Sequence, residues 1–122
     1  MSGLAKQIMG GGISFGAAKA INGSVATGLT ATGTTQGTGL ALNAGTNVFG
    51  TVASGTGAVL ASCEVSDQQY VYNGGANTLT VYPDSGSTIN ALSANTGVSL
   101  ATNTMMLFKR ITSTRWIAML SA

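Results

Sequence analysis

The sequence contains no histidine, a single cysteine and a single proline, and only 7% of its 122 residues are charged. Each shortage excludes something. Without histidine, general acid–base work falls to three carboxylates, of which only Glu64 and Asp67 are close in sequence, and these read as turn or capping residues at the start of a strand. Cys63 has no partner for an intrachain disulfide and no histidine with which to build a zinc site. With no histidine base to activate it, it reads as a buried or bystander thiol. The glycine-rich stretches Gly10-Gly11-Gly12 and Gly37-Thr38-Gly39 match neither a phosphate loop nor a dinucleotide fingerprint. No catalytic residue, metal or cofactor is expected, and the chain reads as a non-enzyme.

The scarcity of charge excludes further partners. Lys6, Lys19, Lys109, Arg110 and Arg115 stand against Glu64, Asp67 and Asp84, for a formal charge of +2. Scattered cations of this kind read as solvated strand ends. They do not form the clustered footprint of a nucleic-acid binder, so no nucleic acid is expected. No apolar run approaches the roughly 18 residues of a membrane span. The glycine triplet and Lys19 break any secretory signal, which places the chain in the cytoplasm until it joins an assembly. Soluble domains usually carry about 25% charged residues. Here Thr, Ser, Asn and Gly supply the polarity instead. A surface so short of charge is expected to be covered by other protein, which makes the chain a subunit of an assembly.

What is present divides the chain into an N-terminal arm, residues 1–24, and a β domain, residues 25–122. The arm carries Leu4, Ile8, Met9, Ile13, Phe15 and Ile21, too many apolar residues for a solvated tail and too loosely patterned for an independent element. It is expected to order on a neighbour, with those six residues as the contacts; the alternative is that it packs back on its own domain. Residues 25–39 are nearly all Thr, Gly and Ala, an extended lead-in with one edge strand over 29–32. Short alternating runs follow at 40–42, 47–52, 58–61, 64–73, 88–92, 98–100, 105–111 and 115–120, each bounded by turn residues. That spacing predicts an all-β fold, a small antiparallel β-sandwich or barrel-like domain with an extended N-terminal arm.

Two reversals stand out. Gln69 to Tyr82 reads as a β-hairpin, with Tyr70 and Tyr72 on one face and Val71 on the other, and with Asn73-Gly74-Gly75 supplying positive-φ positions. Pro83-Asp84-Ser85-Gly86 reads as a second turn. Thr112-Ser113-Thr114 joins the last two strands tightly, bringing Phe108 or Lys109 opposite Arg115 or Trp116. The aromatics Tyr70, Tyr72, Tyr82 and Trp116 serve as core and interface residues, or alternatively as a stacking platform for a sugar or base if they share one exposed face. Met105 and Met106 read as adaptable core or interface filling.

The run Tyr72-Asn-Gly-Gly-Ala-Asn-Thr-Leu-Thr-Val-Tyr-Pro-Asp-Ser-Gly-Ser-Thr-Ile-Asn90, followed by Phe108 and Thr114-Arg-Trp116, resembles small virion structural proteins of tailed bacteriophages. The lead-in Leu29 to Gln36 looks like theirs as well, so the resemblance covers residues 28–118 and leaves out the arm. It implies a capsid decoration (cement) protein on the outer capsid surface of the virion. Such a protein would be homotrimeric and would bridge major capsid protein subunits. The alternatives are a receptor- or glycan-binding head-fibre or tail-tip domain, which would use Tyr70, Tyr72, Tyr82 or Trp116, and a tail or baseplate connector.

Overall fold

The computed structural model describes residues 24–120 and is nearly all β. Its strands are β1 (Val25–Thr30), β2 (Leu40–Ala41), β3 (Thr46–Thr51), β4 (Gly57–Val59), β5 (Gln68–Asn73), β6 (Leu79–Tyr82), β7 (Thr88–Ile89), β8 (Val98–Leu100), β9 (Thr104–Thr112) and β10 (Arg115–Leu120). They form a six-stranded sheet in the order β1-β3-β5-β9-β10-β7 and a four-stranded sheet in the order β2-β4-β6-β8.

The first six strands alternate between the two sheets, and each lies parallel to its predecessor in the same sheet, β1 on β3 on β5 and β2 on β4 on β6. The chain therefore winds as three stacked coils, a short β-solenoid. The expected antiparallel sandwich or barrel holds only in its all-β character. The last part of the stack does run antiparallel. β8 pairs β6 and β9 pairs β5 in the opposite sense, and β9 turns back through 112–115 into β10, which also carries β7 on its far side. The tight turn expected there is present, but the pairing is shifted from the expected Phe108 or Lys109 opposite Arg115 or Trp116: a register shift after Arg115 sets Arg110 opposite Trp116 and Lys109 opposite Ile117.

Between β5 and β6 the sequence and the fold part company. Alternation is as expected, with Gln69, Val71 and Asn73 buried between Tyr70 and Tyr72, and Leu79 and Val81 buried on β6. The two strands nevertheless lie in different sheets, so residues 74–78 form a corner and not a hairpin loop. The glycines there serve close approach. A Cβ on Gly74 would stand 2.8 Å from the Phe49 carbonyl oxygen, and one on Gly75 would stand 2.6 Å from the Val52 nitrogen in the coil below. Neither takes positive φ, whereas Gly86 in the second turn does, at +85°. That turn is closed by the Ser87 N–H donating to the Asp84 carbonyl at 3.0 Å.

A corner buried in a stack leaves backbone groups that no ladder satisfies, and buried amide side chains take them up. Asn73 Nδ2 donates to the carbonyls of Asn77 (2.8 Å) and Leu100 (2.9 Å), and its Oδ1 accepts from the Gly75 N–H (2.9 Å). Gln69 meets both backbone groups of Ala61, donating through Nε2 at 2.9 Å and accepting through Oε1 at 3.0 Å. Asn47 Nδ2 donates to Ala44 and Tyr70 carbonyls. The space between the sheets is filled by one apolar cluster centred on Phe49, Val71, Leu79, Val81, Leu100, Phe108, Ile89 and Trp116, each fully buried.

Candidate protein-binding face

Along a strand side chains alternate between faces, so every residue of the six-stranded sheet that does not enter the core is set on one outer surface. On β3 these are Thr46 and Val48, on β5 Tyr70 and Tyr72, on β9 Met105, Leu107, Lys109 and Ile111, and on β10 Ile117 and Met119. Strand register aligns them into rows. Val25, Thr46, Tyr70, Leu107 and Met119 stand opposite one another across five strands. At a strand spacing of about 4.8 Å that row is roughly 19 Å long. Val48, Tyr72 and Met105 form a second row beside it, and Gln68, Lys109 and Ile117 a third. Val25 and Met119 are 65% and 67% exposed and Ile117 46%, while the middle of the face is half-buried.

Charge is confined to one end of this face. Lys109 lies opposite Gln68 and Ile117, and Arg115 opens β10 beside it. The Glu64–Asp67 turn is tied to the same end of β9 through the Ser66 N–H on the Arg110 carbonyl and the Arg110 N–H on the Asp67 carbonyl. The Asp67 side chain accepts from the Glu64 N–H at 3.1 Å; burial raises its carboxyl above the usual value, partly offset by its hydrogen bond to Glu64. The first two rows carry no charge. By contrast, the outer face of the four-stranded sheet is small and mixed, with Ala41, Val59, Thr80, Tyr82 and Ser99.

The four aromatics do not meet on one surface. Tyr70 and Tyr72 share the six-stranded face, whereas Tyr82 lies on the other sheet. There its hydroxyl donates to the Thr34 carbonyl at 3.1 Å, and its ring covers Gly57 and Gly97 so closely that a Cβ at either would fall within 3.0 Å of it. Trp116 is fully buried and donates its indole N–H to Asp84 Oδ1 at 2.9 Å. The six apolar arm residues Leu4, Ile8, Met9, Ile13, Phe15 and Ile21 lie outside the described residues.

Arg110, expected as a solvated strand end, points into the core. It is 4% exposed, pairs with Asp84 at 2.8 Å, lies 5.1 Å from the Trp116 ring centroid and reaches the Ser113 carbonyl and Ser87 Oγ. Its even spacing from Met106 and Phe108 puts it on the inward face of β9, and the Pro83–Gly86 turn delivers the compensating carboxylate. Burial alone would raise the Asp84 carboxyl, but donors from Trp116, Arg110 and Ser87 together hold it below the ordinary carboxylate value. Cys63 is half-buried, and desolvation pushes its thiol up to about 11, against a weaker opposing hydrogen bond from Gln69 Nε2 at 3.6 Å.

The residues of the face that sequence reading did not assign are Val48, Leu107, Ile117 and Met119. The signal was present in β10, where Trp116 and its neighbours are apolar on both faces of one strand. In a two-layer protein that pattern leaves apolar side chains on the outer face. No family model matches the chain, and no curated protein or solved structure matches it. Among the described residues no cluster of His, Cys, Asp or Glu is arranged to hold a metal ion.

Proposed function

We propose that the chain is a capsid decoration (cement) subunit of a tailed-bacteriophage head. It docks the outer face of its six-stranded sheet on the outer shell and bridges neighbouring major capsid protein subunits. The observation that carries this reading is the charge-free row Val25–Thr46–Tyr70–Leu107–Met119, flanked by Val48–Tyr72–Met105 on the same face. Interface cores are depleted of charge and enriched in Tyr and Met, and this face has that composition, with Lys109 and Arg115 placed at its rim. Aromatic anchors at the centre of such a patch are where binding energy concentrates. The work is mechanical, since every bridged pair of capsid subunits must lose these contacts before the shell can part. Threefold association of the decoration subunit belongs to the same proposal.

The test is co-sedimentation with expanded heads lacking the protein, combined with its copy number in purified particles. Saturable binding at many copies per head, lost when Leu107 and Met119 are replaced by Asp, is the expected result. A few copies per particle would place the chain in a tail or fibre. Sugar binding on a glycan array, lost in Tyr70→Ala or Tyr72→Ala, would favour a receptor-binding tip instead.

A further inference from the structure

Lys109 and Arg115 are the exposed cations of the described fold, and both stand on the outer face of the six-stranded sheet. Arg115 shares its side of β10 with Ile117 and Met119, opposite the buried Trp116. Lys109 lies across from Ile117, so the two cations are diagonal neighbours at one end of the face. Arg110, between them in sequence, faces inward and is neutralised there by Asp84 at 2.8 Å.

Neither Lys109 nor Arg115 has an ion-pair partner among the described residues. The side-chain carboxylates of the chain are Glu64, Asp67 and Asp84, and all are committed elsewhere or unengaged. Asp84 serves Arg110 and the Trp116 indole, and Asp67 is turned back onto the Glu64 N–H at 3.1 Å. Glu64 is exposed in that turn and pairs with neither cation.

These two side chains restrict what can lie on the face. An ammonium and a guanidinium offer hydrogen-bond donors and no acceptor. An apolar or cationic surface laid over them would remove their water and return nothing, whereas a carboxylate accepts from both, and from the Arg115 fork bidentately. Because the charge sits at one end, it also breaks the symmetry of the face. A partner with carboxylates at the matching edge is met in one direction, and the half-turned direction sets the cations on its apolar part.

We propose that the protein surface docked on this face is apolar with Asp or Glu carboxylates along the edge that meets Lys109 and Arg115, and that these two residues fix the direction of docking. The proposal rests on the docking role of the six-stranded face and adds the chemistry of the partner and its orientation.

The probe is again expanded heads lacking the protein, titrated with the full chain. Binding should weaken as NaCl is raised from about 50 mM to about 500 mM, because charges at a solvated rim are screened. Lys109→Gln with Arg115→Gln should remove most of that salt dependence. Lys109→Glu with Arg115→Glu should weaken binding at low salt at least tenfold and slow association. All four changes fall on exposed positions, and an unchanged melting temperature confirms folding; the Gln pair decides alone if the Glu pair does not fold. Wild-type affinity and salt dependence in these variants would overturn the acidic edge and leave the docking face standing. Tighter binding of the Glu pair would mean a cationic edge on the partner, which overturns it as well. Leu107→Asp with Met119→Asp tests the face itself: full binding by that pair would remove the docking reading, and the acidic edge with it.

Discussion

At the scale of single residues, the described part of the chain holds a buried charged group, Asp84–Arg110 with Trp116, Ser87 and the Ser113 carbonyl around it. Removing one member of a buried pair strands the other charge, so Asp84→Ala should cost about 3–5 kcal/mol in denaturant unfolding, while Lys109→Ala on the surface should stay within about 0.5 kcal/mol. The pH dependence follows from the lowered Asp84 value. Folding favours its ionised form, so the stabilisation is complete above the ordinary carboxylate range and is lost as pH falls through the still lower folded value. Thermal unfolding measured from about pH 5 to pH 2 should therefore show a steep acid limb, flattened in Asp84→Asn. Cys63, raised to about 11, should alkylate with iodoacetamide at pH 8 at least tenfold more slowly in the folded chain than in denaturant. That Arg110 would be buried was legible only in part. Its parity with Met106 and Phe108 was in the sequence, but its carboxylate partner lies 26 residues away and is brought to it by the fold.

At the scale of elements, the strands were almost all visible in the alternation of apolar and polar residues, and the β9–β10 reversal was visible in its turn residues. Their partners were not. Asn73-Gly74-Gly75 has the composition of a hairpin loop, yet Asn73 spends its side chain on Asn77, Leu100 and Gly75, and the glycines let the corner pass within contact of Phe49 and Val52. A hairpin and a corner between sheets use the same residues for different reasons, positive φ in one case and absence of a Cβ in the other. Gly75→Ala separates them. At the observed corner its methyl meets the Val52 backbone and should destabilise by about 1–3 kcal/mol, as measured by urea unfolding. Gly50→Ala, whose new Cβ would find its nearest neighbour at 3.8 Å, should cost less than half as much.

At the scale of the whole molecule, the outer face of the six-stranded sheet is the broad apolar surface that the described residues leave uncovered. Ile117→Asp with Met119→Asp changes only exposed positions of the face, so the melting temperature should move by no more than a few degrees, while the proposed binding to capsid should weaken at least a hundredfold.

The sequence by itself determined that the chain is β-rich, which apolar residues of most strands face inward, and that charge is scarce along it. Those properties are local, set by side-chain period, turn composition and residue count. Only the tertiary structure decided that the strands wind in parallel coils, that Trp116 and Arg110 share a buried site with Asp84, and that Tyr70, Leu107 and Met119 stand in one exposed row. The reason is physical. Alternation fixes which face of a strand is apolar but carries no record of the strand it will pair with. Pairing is settled by which long-range arrangement satisfies the corner backbone and closes the core at the same time.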